Sequence, residues 1–466
     1  MTDRSATRYA KVMGETAEAV DADDVDELSL LTQPGREDDL QTFLLLLHPA
    51  DVAELLAEAK GSTALTILSR VSPERAAELV SELEPADQER ILGMVRPEQL
   101  GPILEQMDTD DAVDLLQELD EGTASQVLAQ MPAEERREVS QLLAFDPASA
   151  GGLMQTELVK VPMAATVGSA IELARPDAAE FQIFSLFVVD DVGRYAGQVA
   201  LQDLLFARPE TPIERLMKPK PVEVQTDVDQ EEVARLFDRY SLVELGVVDR
   251  EGLLVGRITA DDVHEVLVEE HGEDLLKMAG TWGEPEELYA SSPWTVVGRR
   301  LPWLGATLIG GLAASLILMK GVLGMPEAGV LLAFVPLVIS LASNVGAQSA
   351  TIMIRGLALG RIDPAEIGAH LLKDLRVGAI MGTIVGALVA LLLTVWRGRP
   401  TLGLAVGGAL ALAMATASLL GAVEPLLLRK LGADPALASG PLITSINDIG
   451  GVLIYTLLAL ALYGVP

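Results

Sequence analysis

Three rhythms of hydrophobic and polar residues succeed one another along the chain. Between residues 40 and 147, apolar positions fall at helical spacing in short segments, as in Ala76, Leu79, Val80 and Leu83. The segments restart about every twelve residues, at Ser72-Pro73-Glu74, Glu84-Pro85-Ala86, Arg96-Pro97-Glu98 and Asp108-Thr109-Asp110. Proline at a first helical position forgoes a hydrogen bond that would be missing anyway, and a preceding Ser or Asp can cap. One such helix cannot bury its apolar face alone, so the pattern predicts neighbours stacked into a small superhelix.

The second rhythm covers residues 153–270 and repeats with an offset of 59. Val188-Val189-Asp190-Asp191-Val192-Gly193 matches Val247-Val248-Asp249-Arg250-Glu251-Gly252, Gly197 matches Gly256, and Asp203 matches Asp262. Each copy predicts a strand, a glycine turn, a strand and a helix opened by an acid. Ahead of the second copy, residues 224–240 add a strand and an amphipathic helix with Val233, Leu236 and Phe237 on one face.

The third rhythm is almost purely apolar. Leu301–Met319, Ala328–Ile354, Val377–Trp396 and Thr401–Val423 carry no charge, and Pro441–Gly464 carries only Asp448. A helix of about 20 apolar residues crosses the hydrocarbon core, so five spans are predicted. The basic residues Arg299, Arg300, Arg355, Arg361, Lys373, Arg376, Arg429 and Lys430 fall on one side, and Lys320, Arg397 and Arg399 on the other. That asymmetry puts the N-terminal part in the cytoplasm and, after five crossings, the C-terminus outside. No basic stretch followed by an apolar one marks a cleavable signal peptide.

Charge sharpens this division. The chain of 466 residues has a net charge of −34. Residues 298–466 hold 11 basic and 7 acidic side chains, so residues 1–297 hold the remaining 23 and 61. An N-terminal part this acidic repels nucleic acid and attracts cations. The chain has no cysteine, which removes disulfides and thiolate metal sites. The histidines His48, His264, His271 and His370 are scattered, and the sequence has no Walker loop, HExxH helix or nucleophile–histidine arrangement. It reads as a non-enzyme without an ATP motor, so any transport runs down the electrochemical gradient.

An ionisable group inside a span costs about 2.5–3.5 kcal/mol on insertion scales and is usually functional. Asp448 is the prime candidate. A carboxylate within a span is a hard oxygen group of the kind that meets a mostly hydrated divalent cation. Asn447, Asn344 and Gln348, with Thr444 and Ser445, are candidates to hydrogen-bond its waters. Glu424 lies in the fourth span near Arg429 and reads as a snorkelling or paired acid. The run from Asp261 to Asp274 reads as an acidic helix leading to the first span.

The 59-residue tandem resembles a pair of CBS domains, a module that often senses an adenosine nucleotide or a cation. Thr259 stands three residues before Asp262, as in the nucleotide-binding copy of that family, whereas Ala200 before Asp203 departs from the pattern. The order of parts, with Asn344-Val345-Gly346-Ala347-Gln348-Ser349-Ala350-Thr351, Asp434-Pro435-Ala436, Asp448-Ile449-Gly450-Gly451 and Ala150-Gly151-Gly152-Leu153-Met154, resembles the MgtE family of magnesium channels and transporters. The resemblance covers about residues 40–466.

The resemblance implies a multidomain chain. After a tail at 1–39 come an all-α superhelical N-domain at 40–150, an α/β tandem CBS pair at 151–268, an acidic connecting helix and linker at 269–297, and a five-helix transmembrane domain at 298–466. It further implies a homodimer in the inner (plasma) membrane whose Mg2+ pathway is closed by cytoplasmic Mg2+. The implied regulatory ligands are Asp110, Asp111 and Asp114 of the N-domain, Asp229, Glu231, Asp238, Asp262 and Glu265 of the CBS pair, and Glu273, Asp274 and Asp434 at the membrane mouth. Mg2+ is both cargo and regulator, and ATP is a candidate ligand of the CBS pair at Thr259 and Asp262. Two departures stand out: Ser241 replaces an acid of the family pattern, and Gly440 stands where the family often has Asn. Competing readings are a divalent transporter of the same fold for Co2+, Mn2+ or another ion, with no cysteine or span-embedded histidine to favour a soft metal over Mg2+ at the hard oxygen of Asp448, and a nucleotide-responsive membrane sensor, which needs no carboxylate within a span.

Overall fold

The computed structural model describes residues 22–33, 35–179, 181–219, 221–281, 292–323, 325, 328–358, 362, 367–438 and 440–463. The chain divides into two compact units, residues 1–266 and 267–466.

The first unit opens with short helices: α1 (Ala22–Leu31), α2 (Glu37–Leu46), α3 (Pro49–Glu58), α4 (Gly61–Leu68), α5 (Pro73–Ser81), α6 (Pro85–Leu92), α7 (Pro97–Leu104), α8 (Thr109–Glu118), α9 (Glu121–Gln130) and α10 (Ala133–Leu142). Their starts follow the predicted chemistry. Ser72 accepts from the backbone N–H of Arg75 ahead of Pro73, and Asp120 accepts from Gly122 and Thr123. The helices stack on their next-but-one neighbours: α3 on α5, α5 on α7, α7 on α9, and α4 on α6. This is the two-layer superhelix expected when no helix can bury its face alone. It begins before residue 40, because Leu28 and Leu31 of α1 and Leu40 of α2 supply buried side chains. The first 21 residues of the expected N-terminal tail lie outside the described residues.

The tandem repeat follows. β1 (Lys160–Pro162), β2 (Ser185–Val189), β3 (Tyr195–Ala200) and β4 (Lys218–Pro219) form one sheet in that order, with α11 (Val167–Ala174) and α12 (Leu201–Phe206) between them. β5 (Glu223–Gln225), β6 (Glu244–Val248) and β7 (Leu254–Thr259) form the second, with α13 (Gln230–Tyr240) between β5 and β6 and α14 (Ala260–Met278) after β7. In each copy the first strand runs parallel to the second and the second antiparallel to the third. The irregularity in register recurs at Val188/Val189 and Val247/Val248, and the turns place Gly193 and Gly252 at φ +94° and +80°. Residues 59 apart also touch: Ser185 donates to Glu244, and Arg194 bridges Leu253. Such contacts are what a pseudo-twofold axis between the copies produces.

The second unit contains the C-terminal part of α14 and five long apolar helices: α15 (Pro293–Gly321), α16 (Ala328–Ala358), α17 (Ile367–Arg397), α18 (Pro400–Lys430) and α19 (Pro441–Tyr463). They coincide with the predicted spans, and a short 3-10 turn at Pro435–Ala438 packs on α18. α18 is the central helix, packed against α16, α17 and α19. Small residues let it approach α17: a Cβ on Gly382 would lie 2.7 Å from the Ala411 carbonyl oxygen. Part of the expected linker, residues 282–291, lies outside the described residues.

Candidate functional site

Two groups of predicted residues come together, one in each unit. In the first unit, α8 places Asp110, Asp111 and Asp114 against Asp262 and Glu265 of α14. Asp110 is only 5% exposed. Burial, then the carboxylates of Asp262, Asp111 and Asp108, push the Asp110 carboxyl well up. Burial first, with the charges of Asp108, Asp262 and Glu265 added, raises Asp111 to about 7. Burial with Asp111 and Glu265 nearby raises Asp114 to about 7. Asp262 and Glu265 are raised by burial and by other acids as well, Asp261 among them. Five carboxyls therefore share a space in which each disfavours the charge of the next.

Sequence reasoning missed Asp108 here. It precedes α8 as a capping residue should, yet makes no capping hydrogen bond. Burial and Asp261 raise its carboxyl, while Arg257 pulls it down. Glu157 was missed too; it accepts from Thr109 Oγ1 at 2.9 Å.

A buried polar chain ties the cluster to the CBS-like pair. Gln155 Nε2 donates to Asp110 Oδ2 at 3.3 Å, and Arg257 Nε donates to Gln155 Oε1 at 3.0 Å. Arg257 Nη1 meets Glu244 Oε2 at 3.3 Å, and Ser185 donates to the other oxygen of Glu244. Arg257 also lies over the Phe181 ring, 5.2 Å from its centroid. Nothing in the sequence separates Arg257 from a surface residue of a strand.

The structure does not bring Asp229, Glu231 or Asp238 into the cluster. All three are exposed at or along α13. Asp229 caps that helix by accepting from Glu231 N–H, and Glu231 pairs with Arg235. Ser241, which replaces an acid, ends the helix in the left-handed conformation at φ 50°. Thr259 donates through both its backbone N–H, at 2.9 Å, and Oγ1, at 2.7 Å, to Asp262 Oδ2.

The cluster concentrates negative charge that lacks a matching cationic side chain on α8 or the start of α14. Asp110 is buried, Asp111 and Asp262 are half-buried, and Asp114 and Glu265 are exposed at the rim. Acids that crowd one another in this way are relieved by protons or by a compensating cation. Among the described residues no three Asp, Glu or His side chains converge as a ready coordination shell. The arrangement suits an ion that keeps waters and bridges carboxylates through them.

In the second unit, the expected ion shared by Glu273, Asp274 and Asp434 has a rival. The Lys277 ammonium sits 2.8 Å from Glu273 and 2.6 Å from Asp434. Burial lowers this ammonium, and the two carboxylates outweigh it, holding it above the ordinary lysine range. Gly440 packs closely: a Cβ there would lie 3.3 Å from the Lys277 carbonyl oxygen, a tight contact.

Asp448 is half-buried in α19, and Ser343 Oγ of α16 donates to its Oδ1 at 2.7 Å. Asn344 and Gln348, four residues apart on α16, are exposed in the single chain. Asn447 departs from its expected pore role. It is 2% exposed and lies in the buried stripe of α19 with Ile443, Gly451 and Tyr455. Its amide presses on Gly346 of α16, and successive helical residues point about 100° apart, so it points along a different face of α19 from Asp448. Glu424 also departs from expectation. It is 9% exposed, and neither carboxyl oxygen has a hydrogen-bond partner among the described residues. Five residues turn a helix through about 140° beyond a full circle, which carries Arg429 off its face.

The family model described as "Divalent cation transporter" matches residues 335–458, that of the MgtE intracellular N domain matches 47–148, and that of the CBS domain matches 150–210 and 213–269. The magnesium transporter MgtE of Thermus thermophilus is 40% identical over 323 residues, covering 69% of this chain and 71% of its own. A crystal structure of the soluble part of a magnesium transporter superposes with TM-score 0.50 at 26% identity, covering 53% of this chain and 97% of that one. The cytosolic domain of the Mg2+ channel MgtE in complex with ATP is 37% identical, with TM-score 0.49, covering 52% of this chain and 99% of that one.

Proposed function

The chain belongs to the MgtE family of magnesium transporters, and we propose that it works as a homodimeric channel admitting Mg2+ to the cytoplasm and closing when cytoplasmic Mg2+ is high. The observation that carries this reading is Asp448, an acid held by a hydrogen bond within an otherwise uncharged span. A carboxylate is a hard oxygen ligand, and Mg2+ readily binds through one or two carboxylates while keeping several waters. A second copy doubles the carboxylates and brings a second set of exposed Asn344 and Gln348 amides to serve those waters. An inside-negative potential favours entry of a divalent ion by roughly 4.6 kcal/mol per 100 mV, twice the single-charge value.

The gate rests on like charge. Carboxylates about 4 Å apart in water repel by about 1 kcal/mol each pair, more where water is excluded. With Mg2+ scarce, Asp110, Asp111, Asp114, Asp262 and Glu265 drive their elements apart. When it is abundant, Mg2+ held by these residues supplies the charge that keeps them together. α14 carries two of the five acids and runs on into the second unit, so it conveys the change. The equilibrium moves by the differential affinity of the two states for the ion. Asp229, Glu231 and Asp238 act as outlying attractors of Mg2+. ATP at the second CBS copy modulates the gate, a role supported by Thr259 paired with Asp262. The basic loops favour a cytoplasmic N-terminus and an external C-terminus.

The test is Mg2+ flux into liposomes holding the purified protein, wild type beside Asp448→Ala. Flux that the substitution abolishes, and that millimolar Mg2+ on the cytoplasmic face suppresses, is expected. A folded wild-type dimer that passes no divalent ion at low cytoplasmic Mg2+ would sink the channel reading.

A further inference from the structure

Hydroxyls within the spans mostly bond to their own helix. Ser315, Thr383, Thr394 and Thr416 each donate to the carbonyl four residues back, at 2.7–2.8 Å. That is the ordinary fate of Ser and Thr inside an apolar helix. Ser343 behaves differently. Its one proton crosses from α16 to Asp448 of α19, 105 residues along the chain, at 2.7 Å. This is the single hydrogen bond that the Asp448 carboxylate receives among the described residues. Ser343 stands one position before the Asn344–Thr351 motif and outside every motif that marks the pore in the sequence.

The chemistry follows from which oxygen is engaged. Ser343 binds Oδ1, which restrains the carboxylate and leaves Oδ2 as the oxygen without a hydrogen bond among the described residues. A carboxylate so held favours one-oxygen contact. Mg2+ demands near-octahedral geometry with short bonds and keeps its waters, so one-oxygen contact serves it well. Ca2+ takes six to eight oxygens at longer distances and often takes both oxygens of one carboxylate. We propose that Ser343 is a positioning residue that makes Asp448 a one-oxygen ligand and thereby favours Mg2+ over Ca2+ in the pore. The inference rests on the reading of Asp448 as the pore carboxylate.

The test compares wild type, Ser343→Ala, Ser343→Thr and Asp448→Ala in liposomes, measuring Mg2+ and Ca2+ flux over a range of concentrations. Ser343→Ala should still transport, with its Mg2+ half-saturation concentration and its Ca2+-to-Mg2+ flux ratio each raised roughly tenfold, the worth of one hydrogen bond to a charged group. Ser343→Thr keeps the hydroxyl and should restore both values. A lesion of packing alone would lower the amount of active protein and leave the ratio unmoved. Thermal midpoints of the same proteins in detergent, with Mg2+ against Ca2+, give a second readout that needs no flux. If Asp448→Ala is inactive while Ser343→Ala keeps the wild-type ratio and half-saturation, the inference fails and the pore reading stands. The inference also fails if Ser343→Thr is as altered as Ser343→Ala. If Asp448→Ala transports like wild type, the pore reading falls and takes the inference with it.

Discussion

Arg257 and Glu424 are both buried ionisable residues, and their surroundings give them opposite value. The Arg257 and Glu244 side chains are 4% and 1% exposed and meet at 3.3 Å, with Gln155 and the Gln182 carbonyl taking further guanidinium protons. Removing one partner of such a pair strands the other charge and typically costs about 3–5 kcal/mol. Glu424 has no such company, since neither oxygen finds a partner among the described residues. A carboxyl in that state is costly whether neutral or charged. Arg257→Met should therefore lower the thermal midpoint of the protein in detergent clearly, whereas Glu424→Leu should leave it unchanged or raise it. The reverse order would show that the surroundings of these two residues have been misjudged. Glu424 was visible in the sequence as an anomaly because a span exposes any charge it carries. Arg257 was invisible, because what matters about it is a partner 13 residues away across a strand pair and another 102 residues away.

At the scale of elements, the sequence was most readable where one force dominates. Long charge-free runs predicted all five long apolar helices because nothing else accounts for so many apolar residues in succession. Ser72-Pro73 and Asp120 marked helix starts because caps are local. The 59-residue repeat predicted two similar folding units because each copy carries its own turn glycine. What stayed hidden depends on how helices face one another. Asn447 and Asp448 look equivalent in a string of letters, but only Asn447 falls on the stripe that α19 buries. The acids of α8 lie near Asp262 and Glu265 of α14, whereas the α13 acids face solvent because their helix buries Val233, Ala234 and Phe237 instead. The glycines were similarly mute. A Cβ on Gly386 would collide with the backbone of Gly407, while one on Gly311 meets nothing within 4 Å. Gly386→Val should destabilise the membrane unit by roughly 1–3 kcal/mol, the usual cost of overpacking. Gly311→Val should not, although both sit in apolar helices. Size-exclusion profiles after heating would separate the two, and equal losses would count against the α17–α18 packing described here.

For the whole molecule the governing quantity is the concentration of negative charge in the first unit. Asp111 and Asp114 are raised to about 7 from an ordinary 3.8, burial first and neighbouring acids second. Between about pH 4 and 7 the folded chain then binds more protons than the unfolded one. The contribution of these two acids to stability falls as pH rises through that window and levels off above it, the opposite of the usual salt-bridged carboxylate. Mg2+ changes the sign of the problem by taking the place of the protons. A ligand at 100 times its dissociation constant adds about 2.7 kcal/mol to the folded state. Protons compete for the same oxygens, so the Mg2+ effect should be weak near pH 5 and strong near pH 8. Thermal midpoints of the full-length protein in detergent, taken from pH 5 to 8 with and without Mg2+, should show a falling curve without the ion and a flatter one with it. Changing Asp110, Asp111 and Asp114 together to Asn should flatten the metal-free curve and remove most of the Mg2+ response, since the repulsion and the ligands disappear together. A metal-free midpoint that rises with pH across this range would mean that these acids are not crowded in solution, and a gate driven by their repulsion would have to be abandoned.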